Sequence, residues 1–138
     1  MKRLYHLSRE ERDRIAQCLA AELASDRRIS FAYLYGSFGE PQAFHDIDVG
    51  VYLEDMQSDQ FSVIALDLSQ RLSDTVRMPV DVRVLNMAPV SFVYHVLRGN
   101  VLFSPNEAVL AEIMERTVAR YLDIAPLLRR GALEAFAA

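Results

Sequence analysis

A chain of 138 residues, 51% apolar and 25% charged, has the size and makeup of a single globular domain with a real core. Its net charge of −4 argues against a general nucleic-acid surface, which shows itself as a basic patch. Cys18 stands alone, so no disulfide framework exists, and no apolar run reaches signal-peptide or membrane-span length; a cytoplasmic location is expected.

Ser8 with Glu11 reads as a capping box opening a first helix. That helix places Ile15, Leu19 and Leu23 on one face and ends near Ser25-Asp26. Ile29 to Tyr35 is strand-like and leads into Gly36-Ser37. His45 to Leu53 alternates as a second strand. Ser58-Asp59 is placed to cap a second helix, with Phe61, Ile64, Ala65, Leu68 and Leu72 on its apolar side. Pro79 opens a strand that carries Asp81 and Arg83. Pro89 starts a third helix, Val90 to Arg98, closed by Gly99-Asn100. Val101 to Phe103 is a short strand or extended link. Ser104-Pro105-Asn106-Glu107 predicts an N-cap at Ser104 and a long helix through about Asp123. Pro126 is expected to break or kink it, leaving Leu127 to Ala138 as an apolar, arginine-bearing tail. The order of elements predicts an α/β or α+β sandwich built on one mixed sheet.

The chemistry concentrates at Gly36-Ser37 and Asp46-Ile47-Asp48. Residues i and i+2 of a strand share a face, so Asp46 and Asp48 point together while Ile47, Val49, Val51 and Leu53 point the other way. Two neighbouring carboxylates repel unless a cation sits between them, and oxygen ligands at this spacing suit Mg²⁺ with substrate phosphates. A Gly-Ser turn allows close backbone approach to a phosphate. Taken singly, Asp-x-Asp is more often a solvated strand face and Gly-Ser more often a plain turn; the order of strand, Gly-Ser, short loop, Asp-x-Asp strand, helix and acid-bearing strand is far more specific. Other side chains read as structural: His45 as a loop residue, His95 and Cys18 as packing, Tyr33 and Tyr35 as sheet packing, Arg129-Arg130 as an exposed pair or a partner contact.

This constellation resembles the nucleotidyltransferases of the DNA polymerase β type, and most closely the minimal nucleotidyltransferase (MNT) branch. The hallmark reads here as Gly36-Ser37, an eight-residue spacer free of Lys and Arg, then Asp46-x-Asp48, with the third acid placed at Asp81. The resemblance runs from the first strand through Phe103. It implies a single minimal nucleotidyltransferase domain over residues 1–138, with a mixed sheet packed with helices and a long C-terminal helix. It also implies transfer of a nucleoside monophosphate to a hydroxyl. Asp46, Asp48 and Asp81 would be the catalytic and metal-binding acids, holding two Mg²⁺ ions, and Gly36 and Ser37 would bind the phosphates of ATP. No appended nucleic-acid-binding domain is expected in a chain of this length. The resemblance therefore points to the antitoxin of a HEPN/MNT pair, a protein adenylyltransferase that attaches AMP to a tyrosine of a HEPN-domain ribonuclease toxin, with a hetero-oligomer of the two as one option it leaves open. No direct nucleic-acid or membrane partner is expected. The alternatives are a small-molecule nucleotidyltransferase acting on an aminoglycoside-like hydroxyl, and a non-enzymatic antitoxin that works by contact alone.

Overall fold

The computed structural model describes residues 3–39 and 43–136. Helix α1 spans Arg9–Ala24, strand β1 Ile29–Tyr35, β2 Ile47–Leu53, α2 Phe61–Val76, β3 Val80–Val84, α3 Val90–Leu97, β4 Asn100–Phe103 and α4 Glu107–Ala135. Short 3-10 turns cover Gly36–Gly39 and Ser58–Gln60. The strands form one mixed sheet in the order β3-β2-β1-β4. β1 runs antiparallel to β2 and β4, whereas β2 and β3 are parallel.

Both faces of this sheet are covered, which is why β1 reads as a continuous apolar run. On one face Leu19 and Leu23 of α1 and Ile64, Leu68 and Leu72 of α2 pack against Ile47, Val49, Val51, Val80 and Val82. On the other, Phe31, Tyr33 and Tyr35 meet Val93 and Val96 of α3 and Ile113 of α4. Ile29 belongs to the first cluster and Phe31 to the second, although the two are spaced by two residues. A register shift between them accounts for this, because a bulge turns the strand over. Tyr94 of α3 stacks on Tyr121 of α4 at 3.8 Å, so α4 is anchored through α3.

Strand β3 lies at the sheet edge, and α2 satisfies its outward N–H groups. Ser73 Oγ accepts from Val80 N at 2.8 Å, and Ser69 Oγ accepts from Val82 N at 2.9 Å. The pairing leaves no open rung for another chain at these positions and fixes the register around Asp81.

The capping box of α1 forms as expected: Ser8 Oγ accepts from Glu11 N, and Glu11 Oε1 accepts from Ser8 N, both at 3.1 Å. Three helix boundaries differ from expectation. Ser58 does not cap α2; it enters a 3-10 turn, and Gln60 precedes the helix with no side-chain cap bond. Asn106, not Ser104, caps α4, because its Oδ1 accepts from both Ala108 N and Val109 N. Pro126 neither ends nor breaks α4, which continues to Ala135. The bond that proline forfeits would have gone to the carbonyl of Leu122, a residue 65% exposed, so the lost donor falls on the solvent side of the helix. Cys18, read as core, is half-buried.

Candidate active site

The strand register draws the chemistry into a row. Tyr35 at the end of β1 pairs with Asp48 on β2, and Asp48 pairs with Asp81 on β3. Since Ile47, Val49, Val80 and Val82 are buried against α1 and α2, Asp48 and Asp81 must project from the opposite face, the side of α3. Asp46 lies one residue before β2 and, like Asp48, is half-buried. The start of this arrangement is held by Ile47 N donating to Pro79 O at 2.9 Å.

Gly36 leaves β1 at a φ of 78°, in the left-handed region that glycine enters without strain. A Cβ at this position would lie 2.4 Å from Asp48 Oδ2. The turn backbone is therefore pressed against the Asp48 carboxylate, and only glycine permits the approach. Ser37 occupies the same 3-10 turn, but its side chain lies outside the described residues, as do Glu40 and Pro41 of the spacer.

Arg83, two residues beyond Asp81, turns back to it with Nε 3.3 Å from Oδ2, both side chains being about half exposed. Its guanidinium also lies 5.8 Å from the Phe92 ring centroid, and Phe92 meets Tyr35 edge-on at 5.6 Å. The hydrogen bond to Asp81 raises the Arg83 pKa above its ordinary value. Burial pushes the Tyr35 phenol up to about 12, helped by the nearby charge of Asp48. Tyr35 is thus a neutral hydroxyl at physiological pH.

The donor set suits a hard divalent cation. Asp48 and Asp81 stand at adjoining register positions and repel each other, and their ligand atoms are all oxygens. Among the described residues no three His, Cys, Asp or Glu side chains already converge on one point as a closed metal cage. An open pair of acids is what Mg²⁺ uses when substrate phosphates supply further ligands.

Two features escaped the sequence reading. Arg12 of α1 is 8% exposed; its Nε donates to Leu7 O at 3.2 Å and its guanidinium also donates to Phe38 O. The guanidinium lies 5.0 Å from the Phe44 ring centroid and 5.6 Å from that of Phe38. It fastens the far end of the Gly36 turn to α1. The available signal was position: Arg12 extends the Ile15, Leu19, Leu23 stripe by three residues toward the helix start. The second feature is a cavity of about 410 Å³ beside Gly36, lined by Tyr35, His95, Arg98, Gly99 and Asn100. His95 is an exposed part of this lining, edge-on to Tyr35 at 6.0 Å, and not core packing. His45 is exposed, with its Nδ1 3.0 Å from Arg3 O, in keeping with a loop residue.

A family model described as polymerase beta nucleotidyltransferase matches residues 17–108, a stretch that contains the whole sheet and the acid row. The chain belongs to the polymerase beta nucleotidyltransferase family. Solved structures share its fold. One is the tri-AMPylated Shewanella oneidensis HEPN toxin in complex with MNT antitoxin, matched at a TM-score of 0.69 and 17% identity over 88% of this chain and 99% of that one. A second is a toxin–antitoxin structure with AMP-PNP, at a TM-score of 0.72 and 19% identity over 88% and 98% of the two chains. A third, the toxin–antitoxin MntA–HepT, reaches 0.67 at 17% identity over 94% and 100%. No curated protein is matched. The family match spans the mixed sheet and the Gly36 turn beside Asp48. No described helix is long and apolar enough to cross a membrane.

Proposed function

We propose that this nucleotidyltransferase is the antitoxin of a HEPN/MNT pair and transfers AMP from ATP to a tyrosine hydroxyl of its HEPN ribonuclease partner. The observation that carries this reading is the Tyr35–Asp48–Asp81 row beside the Gly36 turn, on a fold shared with a chain solved in complex with a tri-AMPylated HEPN toxin. The structure with AMP-PNP supports ATP as the donor.

In the proposed reaction the acceptor oxygen bonds to the α-phosphorus, the bond from that phosphorus to the β-phosphate bridging oxygen breaks, and pyrophosphate leaves. Backbone N–H groups at Gly36 and Ser37 hold the β- and γ-phosphates. Asp46 and Asp48 are the residues that would hold both Mg²⁺ ions, and Asp81 would complete the acceptor-side position. Bound there, Mg²⁺ would neutralise the polyphosphate and polarise the reacting oxygens. Asp81 orients the acceptor hydroxyl and takes up its proton. Arg83 moderates the charge of Asp81 and keeps its carboxylate turned along the sheet face. AMP on the partner would then act by charge, since an added phosphate repels an RNA backbone.

The test is co-expression with the HEPN protein proposed as its partner, separation under denaturing conditions, refolding and RNase assay. A gain of roughly 329 Da per AMP on a tyrosine peptide, with RNase activity still low, is expected. Partner of unmodified mass that regains full activity would reject adenylylation in favour of neutralisation by contact.

A further inference from the structure

We propose that Arg98 is the cation that receives the terminal phosphates of the nucleotide, in the cavity on the far side of Gly36 from the acids. The inference rests on the nucleotidyl-transfer reading above and extends it to a residue outside the Gly36-Ser37 and aspartate set. Across the sheet the row runs from Asp81 on β3 to Asp48 on β2 and Tyr35 on β1, and β4 lies beyond β1, its first residue Asn100 paired with Leu34, the neighbour of Tyr35. If the α-phosphate reacts over the acids and the polyphosphate crosses the Gly36 turn, its terminal phosphates run toward β4. There lies the cavity of about 410 Å³, whose lining includes Gly36, Arg98 and Asn100.

A polyphosphate needs more positive charge than this site shows elsewhere. The segment between Ser37 and Asp46 contains no Lys or Arg. Arg83 faces the acid row but is paired with Asp81. Arg98 is exposed, and its guanidinium lies 5.8 Å from the Tyr94 ring centroid. Its planar fork of donors matches phosphate oxygens in pairs.

The backbone holds Arg98 at the cavity. Arg98 N bonds back to His95 O and Val96 O, which also occupies carbonyls at this helix end that would otherwise repel an anion. Gly99 follows, and a Cβ there would lie 2.4 Å from Leu34 O and 3.2 Å from Tyr35 Cβ. The corner between α3 and β4 is therefore seated directly on the end of β1, next to the Gly36 turn.

The experiment is calorimetric binding of AMP-PNP, ADP and AMP, each with Mg²⁺, to the wild-type chain and to Arg98→Gln and Arg98→Lys. Arg98→Gln should weaken AMP-PNP about tenfold or more, ADP less, and AMP less than about twofold, because the lost contact is to phosphates that AMP lacks. Arg98→Lys should recover part of the AMP-PNP affinity as a point charge. The melting temperature should stay at the wild-type value, since the side chain is exposed. Wild-type AMP-PNP affinity in Arg98→Gln overturns the proposal, and so does an equal loss for all three nucleotides. A wild-type chain that binds none of them overturns the nucleotidyl-transfer reading itself, and this inference with it.

Discussion

Replacing Gly36 by alanine separates backbone strain from damage to the site. The left-handed conformation at a φ of 78° costs a non-glycine residue about 1–2 kcal/mol. In a chain of 138 residues that is a fall of about 3–7 °C in Tm. The larger effect falls on Asp48. The new Cβ would stand 2.4 Å from Asp48 Oδ2, against about 3.5 Å for an unstrained contact, so the carboxylate must retreat by roughly 1 Å. A misplacement of that size at reacting groups costs about 100-fold in rate. Gly36→Ala should therefore remain folded, melt a few degrees lower, and transfer AMP about 100-fold more slowly. Gly131→Ala is the control: it lies in α4 with nothing within 4 Å of the added Cβ, so it should gain about 0.5–1 kcal/mol of stability and leave transfer unchanged. Thermal melts and single-turnover AMP transfer to the partner measure both quantities. Wild-type transfer by Gly36→Ala would refute the argument, since it would mean that the contact with Asp48 has no bearing on the reaction.

Asp81→Asn should leave Mg²⁺–ATP binding near wild type in calorimetry while slowing transfer by about 100-fold or more. Binding lost to the same degree as in Asp48→Asn would move Asp81 off the acceptor side. Arg12→Met removes the donor to Leu7 O and Phe38 O and should cost about 1–3 kcal/mol in urea unfolding while raising KM for ATP. Arg12→Lys, which keeps the charge and loses the fork, should restore only part of the KM. Asp26 accepts hydrogen bonds from Arg28 that hold its carboxyl below the usual range, so its stabilisation is present above the ordinary carboxylate pKa and is lost as pH falls through the lowered folded value. Asp26→Asn should be less stable than wild type by about 1–2 kcal/mol at pH 7, toward the low end because Arg28 and Arg71 are partly solvated. Denaturant titrations should show that gap closing below about pH 4; a gap that persists at pH 2 would assign the loss to packing.

The sheet and the acid row were legible because both follow from alternation. Apolar residues at 47, 49, 51 and 53 and at 80, 82 and 84 leave only one face for Asp48, Asp81 and Arg83. The boundaries of α2 and α4 were less legible, because several polar residues stood close enough to cap each helix and the choice between them is decided by local geometry. The expected break at Pro126 did not form for a related reason: the penalty of a helical proline depends on whether the abandoned carbonyl lies on an exposed face, which the local pattern does not state. The cavity at Arg98 and the clamp at Arg12 were hidden because each joins segments far apart in the chain. Arg12 reaches Phe38 across 26 positions, and Arg98 comes to share a cavity with Gly36 through the packing of β4 onto β1.

The packing of β2 also fixes the direction of its acids. A slip of one residue in its pairing would exchange the two faces of the strand. Ile47, Val49 and Val51, all fully buried against α1 and α2, would then face the α3 side, and Asp48 would enter the apolar cluster. Each of those side chains contributes about 1.5–3 kcal/mol by its burial, so the slipped pairing loses several kcal/mol before the buried carboxylate is counted. That loss is comparable to the whole stability of a domain, which is about 5–15 kcal/mol. The acids are thus held on the α3 side of the sheet by hydrophobic residues packed on its other face. The parallel pairing of Asp48 with Asp81 carries the constraint to β3, where Ser69 and Ser73 lock the outer rungs. It follows that polar changes at Val49 or Val82 should harm transfer through the fold, whereas changes at Asp48 or Asp81 should harm it with the fold intact.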